Sequence, residues 1–137
     1  MNSVSHNQSS RFVEAGLVVS KNGLPMRWHT PNDASGGALP DSRALWEFFR
    51  DNWSNIQGFA HSHPEGFSDP SWTDITTFAA IELGLDLRFD WWIVAKKVSL
   101  VRWKGPDRYD YKVELLDTEP AWAGELRARS RRIQVTA

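Results

Sequence analysis

His61 and His63 stand two residues apart in a stretch that also holds Gly58, Phe59, Ala60, Ser62 and Pro64. Side chains of an extended strand alternate between faces, so the two imidazoles share one face while Ser62 takes the other. Ser71 and Asp74 follow in Ser-x-x-Asp spacing, at what the pattern predicts to be the first turn of a helix. Asp74 is then near enough to fold back as a third ligand. Two imidazoles and a carboxylate are hard or borderline donors, and together they suit an open zinc site with one position left for water. Each residue alone has a plainer role. A lone histidine is usually a packed or surface group, and Ser71 with Asp74 would make an ordinary helix cap. The combination, His-x-His-Pro followed by Ser-x-x-Asp, should arise by chance in well under ~1 in 1000 chains of this length.

Residues 58–74, GFAHSHPEGFSDPSWTD, resemble the signature of the JAMM (MPN-plus, JAB-type) zinc metalloproteases. That family places a glutamate on an earlier strand. The counterpart here is Glu14, in a run containing Phe12, Val13, Ala15, Gly16 and Leu17, and the resemblance spans roughly residues 11–116. It implies an α/β fold of the MPN (cytidine-deaminase-like) kind, a mixed, curved β-sheet flanked by helices. It implies zinc, one per chain, on His61, His63 and Asp74, with Glu14 and Ser71 catalytic. Glu14 would move the proton of the attacking water to the leaving amine, and Ser71 would donate to the oxyanion. The implied activity is that of a deubiquitinase-like isopeptidase, cutting the amide after the C-terminal tail of a ubiquitin-like protein, in deconjugation or precursor processing. Its partners would be that protein or its conjugates, with operon-encoded activating and conjugating enzymes. The alternatives are a hydrolase trimming a sulfur-carrier protein or a small amide, and a non-catalytic MPN scaffold. The chain lacks room for the family's early helix and lacks the long second insertion of eukaryotic members, which makes it similar to the short bacterial form.

Three glutamates invite comparison as the base. Glu47 sits on a predicted helix whose apolar face must turn inward, which points it outward. Glu65 lies in a loop after Pro64. Glu14 alone falls in a predicted central strand, with Ala15 and Gly16 leaving space around it.

At 137 residues the chain is long enough for one domain with a single core. We divide it into a polar tail over residues 1–10, a domain over 11–132 and a second tail over 133–137. A net charge of −1 argues against a general nucleic-acid binder. With no cysteine, a metal must rely on histidine and carboxylate. No apolar run has membrane length, so the default expectation is a cytoplasmic protein without a membrane partner. Eight tryptophans exceed what a small core needs, so some should face a ligand or partner. Trp72 and Phe59, close to the zinc motif, are the candidates for a substrate groove.

The elements that must position these groups follow from pattern. Residues 11–20 and 24–29 read as a hairpin around Asn22-Gly23. His29 at its end is expected on the surface. Asp41 is expected to cap a helix reaching Trp53, with Leu45, Phe48, Phe49 and Trp53 on its apolar face. Residues 56–63 form the histidine strand, Ile56, Gly58, Ala60 and Ser62 sharing one face. Ser71 opens a helix stopped by Gly84. Strands follow over 88–95, 98–104 and 109–116, then a helix over 118–132 whose arginines form a solvated face.

Overall fold

The computed structural model describes residues 12–31, 34 and 42–131; both tails and most of the loop after His29 lie outside these. Six strands form one open mixed sheet: β1 (Gly16–Ser20), β2 (Pro25–His29), β3 (Ile56–Ser62), β4 (Asp90–Val94), β5 (Val98–Trp103) and β6 (Tyr111–Leu115). Their order is β2-β1-β3-β4-β5-β6, and only β3 and β4 run parallel. The α-helices among the described residues are α1 (Arg43–Asn52), α2 (Trp72–Leu85) and α3 (Ala123–Arg129). The α/β expectation holds. No described helix is long and apolar enough to cross a membrane.

Two cores lie on the two faces of the sheet. On one, Leu45 and Phe49 of α1 and Phe78 and Ile81 of α2 pack with Phe59, Trp91 and Ile93. On the other, Ala123 and Leu126 of α3 pack with Ala15, Leu17, Ala60, Trp92 and Val94. The alternation along β3 produces this split: Phe59 and His61 face α2, while Ala60 and Ser62 face α3. Ile56 departs from the expected alternation and packs in the α1–α2 core. The β1–β3 register shifts between Val19 and Ser20, and that irregularity turns Ile56 over. At Gly58 a Cβ would lie 1.7 Å from the Asp90 carbonyl oxygen, so only glycine lets β4 approach so closely.

Several predicted boundaries move. Strand β1 starts at Gly16, so Glu14 precedes the ladder instead of sitting within it. Ser42 caps α1, its hydroxyl accepting from the Leu45 amide, in place of Asp41, which lies outside the described residues. Trp53 leaves the apolar face because α1 ends at Asn52 and a short 3-10 turn carries the tryptophan outward, 54% exposed. Gly84 does not stop α2. The helix runs through it to Asp86, a left-handed residue at φ 54°, where the Asp86 and Leu87 amides bond back to the Leu83 and Glu82 carbonyls. The last helix is shorter than predicted, and its arginines are engaged. Arg127 binds Glu119 and the Ala95 carbonyl, and Arg129 binds Glu125 and lies over the Trp28 ring.

Candidate metal centre

The site forms where β3 ends beside its parallel neighbour. The His63 amide donates to the Val94 carbonyl at 2.9 Å, which extends the pairing one residue beyond the strand. Loop 64–70 then carries the chain to the N-terminus of α2. That loop is pinned from inside: Ser68 is buried and its hydroxyl accepts from Ser99 of β5 at 3.0 Å. Its Phe67 carbonyl accepts from His63 Nδ1 at 2.8 Å. With its proton on Nδ1, the neutral ring turns the Nε2 lone pair into the site.

Asp74 arrives from the first turn of α2. The Ser71 hydroxyl accepts from the Asp74 amide at 3.0 Å, and Asp74 Oδ2 accepts from the Ser71 amide at 2.9 Å. This reciprocal cap fixes the carboxylate and satisfies two amides of the helix end. Asp74 Oδ1 lies 3.3 Å from His61 Nε2, Oδ2 lies 3.2 Å from His63 Nε2, and the two Nε2 atoms are 3.0 Å apart. One ligand atom from each residue fits within a 4.8 Å span.

These separations suit a metal ion. Bonds of about 2.0–2.1 Å in a tetrahedral shell place neighbouring ligand atoms about 3.3 Å apart. The two imidazole nitrogens would otherwise confront each other, since only one can donate across the 3.0 Å gap. A divalent ion would accept all three lone pairs at once.

Charge completes the picture. Burial alone would raise the Asp74 carboxyl, but hydrogen bonds from His61, His63 and the Ser71 amide hold it well below the usual carboxylate range. Burial alone would lower His63, yet Asp74 and the Phe67 carbonyl raise it above the ordinary histidine value. Glu14 is buried, and that desolvation raises its carboxyl against the opposing pull of His61 and His63.

Glu14 and Ser71 line the same cavity as His61, His63 and Asp74, a space of about 620 Å³ whose inner wall includes Phe49, Phe59 and Phe78. Phe59 is thus part of the wall as well as of the core. Trp72 is not: it is 65% exposed, lies outside the cavity lining and meets Tyr109 edge-on at 5.0 Å between ring centres. Glu47 points outward to Arg43, as expected, while Glu65 reaches the cavity rim.

Sequence reasoning missed His29, which is buried and also lines the cavity. Gly16 pairs with His29 on one side and His61 on the other, so one transverse row of the sheet carries both imidazoles across a glycine. The hairpin register shifts between Val18 and Val19, so counting back from its turn at Ser20 and Leu24 would have placed Trp28, not His29, opposite Gly16. No protein-family model and no curated protein matches the chain in sequence.

Proposed function

We propose that the chain is a JAMM-type zinc hydrolase with an MPN-like fold, an isopeptidase or processing protease that cuts the amide after the tail of a ubiquitin-like protein. The observation that carries this is the convergence of His61, His63 and Asp74, with Glu14 and Ser71 on the same cavity. When bound, zinc would be held by the first three and would supply Lewis acidity to the scissile carbonyl and lower the pKa of water.

The chain's own groups supply the remainder. The raised Glu14 carboxyl suits a general base, whose best pKa lies near the working pH. It takes the proton of the attacking water and returns it to the leaving amine. The Ser71 oxygen accepts from the Asp74 amide, which leaves its O–H proton to donate to the oxyanion. The capped N-terminus of α2 adds a favourable dipole for that negative charge. Burial of Glu14 and His61 lowers the local dielectric and strengthens the electrostatics around the base.

The substrate tail would bind extended alongside the site, as an added strand. A second reading, trimming of a sulfur carrier or a small amide, is favoured by the aromatic inner wall of Phe49, Phe59 and Phe78, which offers an apolar group more room than a glycine-rich tail needs. Zinc-loaded protein assayed against a panel of ubiquitin-like fusions and small acyl-amides tests both. Cleavage at the tail supports the first, cleavage of the small amides alone the second, and no cleavage of any overturns the hydrolase assignment.

A further inference from the structure

Glu14 is held by neither strand nor helix. The backbone of residues 13–15 makes no ladder, yet a base must be fixed to within a fraction of an ångström of the proton it takes. Its two neighbours are clamped instead by two buried serines. On the β3 side, the Ser62 hydroxyl accepts from the Ala15 amide at 2.9 Å, and the Ser62 amide donates to the Ala15 carbonyl at 2.9 Å. On the α3 side, the Ser130 hydroxyl donates to the Val13 carbonyl at 2.7 Å, and the Val13 amide donates to the Ser130 carbonyl at 2.8 Å. The two hydroxyls also bond to each other. Both serines are within 2% of complete burial, so no solvent competes for these bonds.

We infer that the Ser62–Ser130 pair is a positioning device for Glu14, which makes the C-terminal end of α3 a working part of the catalytic site. This rests on Glu14 being the base. Ser62 lies between the two histidine ligands, so through it the segment bearing the base is registered against the metal-binding strand. Ser130 closes the clamp from the end of α3, on the face of the sheet to which Ser62 also points, away from the cavity. Neither serine lines the cavity or touches a ligand atom; each acts on Glu14 through the backbone of its neighbours.

Amide exchange tests the clamp without any turnover measurement. In wild-type protein, the Val13 and Ala15 amides should open together with those of α3. In Ser130→Ala they should exchange at least tenfold faster, while β3 and β4 keep their protection. Zinc content by elemental analysis should stay at the wild-type level. On a ubiquitin-like protein carrying a C-terminal fluorogenic amide, kcat should fall tenfold or more with KM unchanged. In a Glu14→Gln background, Ser130→Ala should add nothing, because a group acting only through Glu14 has nothing left to position. If Ser130→Ala does not fold, the wild-type exchange pattern still decides. Opening of Val13 and Ala15 independently of α3 overturns the proposal, as does unchanged exchange in Ser130→Ala or an additive loss in the double variant. A fully active Glu14→Gln would instead overturn the assignment of the base, with the exchange result still separating the two.

Discussion

Ser71 caps α2 and, in the proposed mechanism, also donates to the oxyanion; one substitution would remove both, and suitable variants separate them. Its hydroxyl accepts from the Asp74 amide at 3.0 Å, half of a reciprocal cap. Loss of such a cap costs about 1 kcal/mol, or about 2–6 °C in Tm for a domain of this size. Loss of one oxyanion donor costs about 10²–10³ in kcat, which corresponds to about 2.7–4 kcal/mol. The second figure exceeds the first, so a pure cap cannot imitate a catalytic donor. Ser71→Ala should show both losses. Ser71→Asp supplies a capping acceptor and no donor at neutral pH, so it should regain most of the Tm and none of the turnover. Ser71→Thr should retain both. Thermal melts of the zinc-loaded proteins, read beside kcat per folded molecule, provide the measurement. Ser71→Ala with turnover within about twofold of wild type would refute the catalytic role and leave only the cap.

Elemental analysis should find about one zinc per chain, the stoichiometry of a three-ligand open site; His63→Ala should lose it, and a strong chelator should abolish activity that added zinc restores. Glu14→Gln should keep its zinc and lose nearly all turnover, while Glu47→Gln and Glu65→Gln stay active in the same assay. The chelated protein adds a test of sign. Because burial raises the Glu14 carboxyl, the fold favours its neutral form. That contribution is complete below the unfolded value of about 4.3 and is lost as pH rises through the folded one. Metal-free Glu14→Gln should therefore melt higher than wild type at neutral pH, with the gain closing towards pH 4. Glu82 is 2% exposed and accepts from Arg88, the Phe89 amide, the Trp91 indole and the Tyr111 hydroxyl. Glu82→Ala strands those donors and should cost about 3–5 kcal/mol by urea unfolding, against about 1 kcal/mol for Tyr111→Phe.

The convergence of His61, His63 and Asp74 was legible because it depends on local geometry. A two-residue period places His61 and His63 on one face, and a helix cap places Asp74. Hydrophobic alternation likewise revealed the strands, since burial on a sheet leaves a period of two. What escaped depends on contacts between distant segments. His29 enters the cavity through a three-strand row, and the sequence around it carries no ligand spacing. Glu14 was expected inside a strand because Phe12, Val13, Leu17 and Val18 read as one apolar run, whereas the ladder begins only at Gly16. Gly84 resembled a helix stop, but a Cβ there would meet nothing within 4 Å, and Asp86 took the left-handed position. The arginines of α3 resembled a solvated face because the Glu119 and Ala95 groups that hold Arg127, and the Trp28 ring under Arg129, lie outside the helix.

The bond between Ser130 and Val13 joins residues 117 positions apart. A ribosome makes Val13 early and Ser130 more than a hundred residues later. By then His61, His63 and Asp74, all within fourteen positions of one another, have been made and can already converge. A growing chain of this protein would thus bring its three candidate metal ligands together well before the Glu14 carboxylate is set in place. On the proposed hydrolase assignment, order of synthesis would then act as a safety interlock, keeping the part-made site idle among the cell's other nascent proteins.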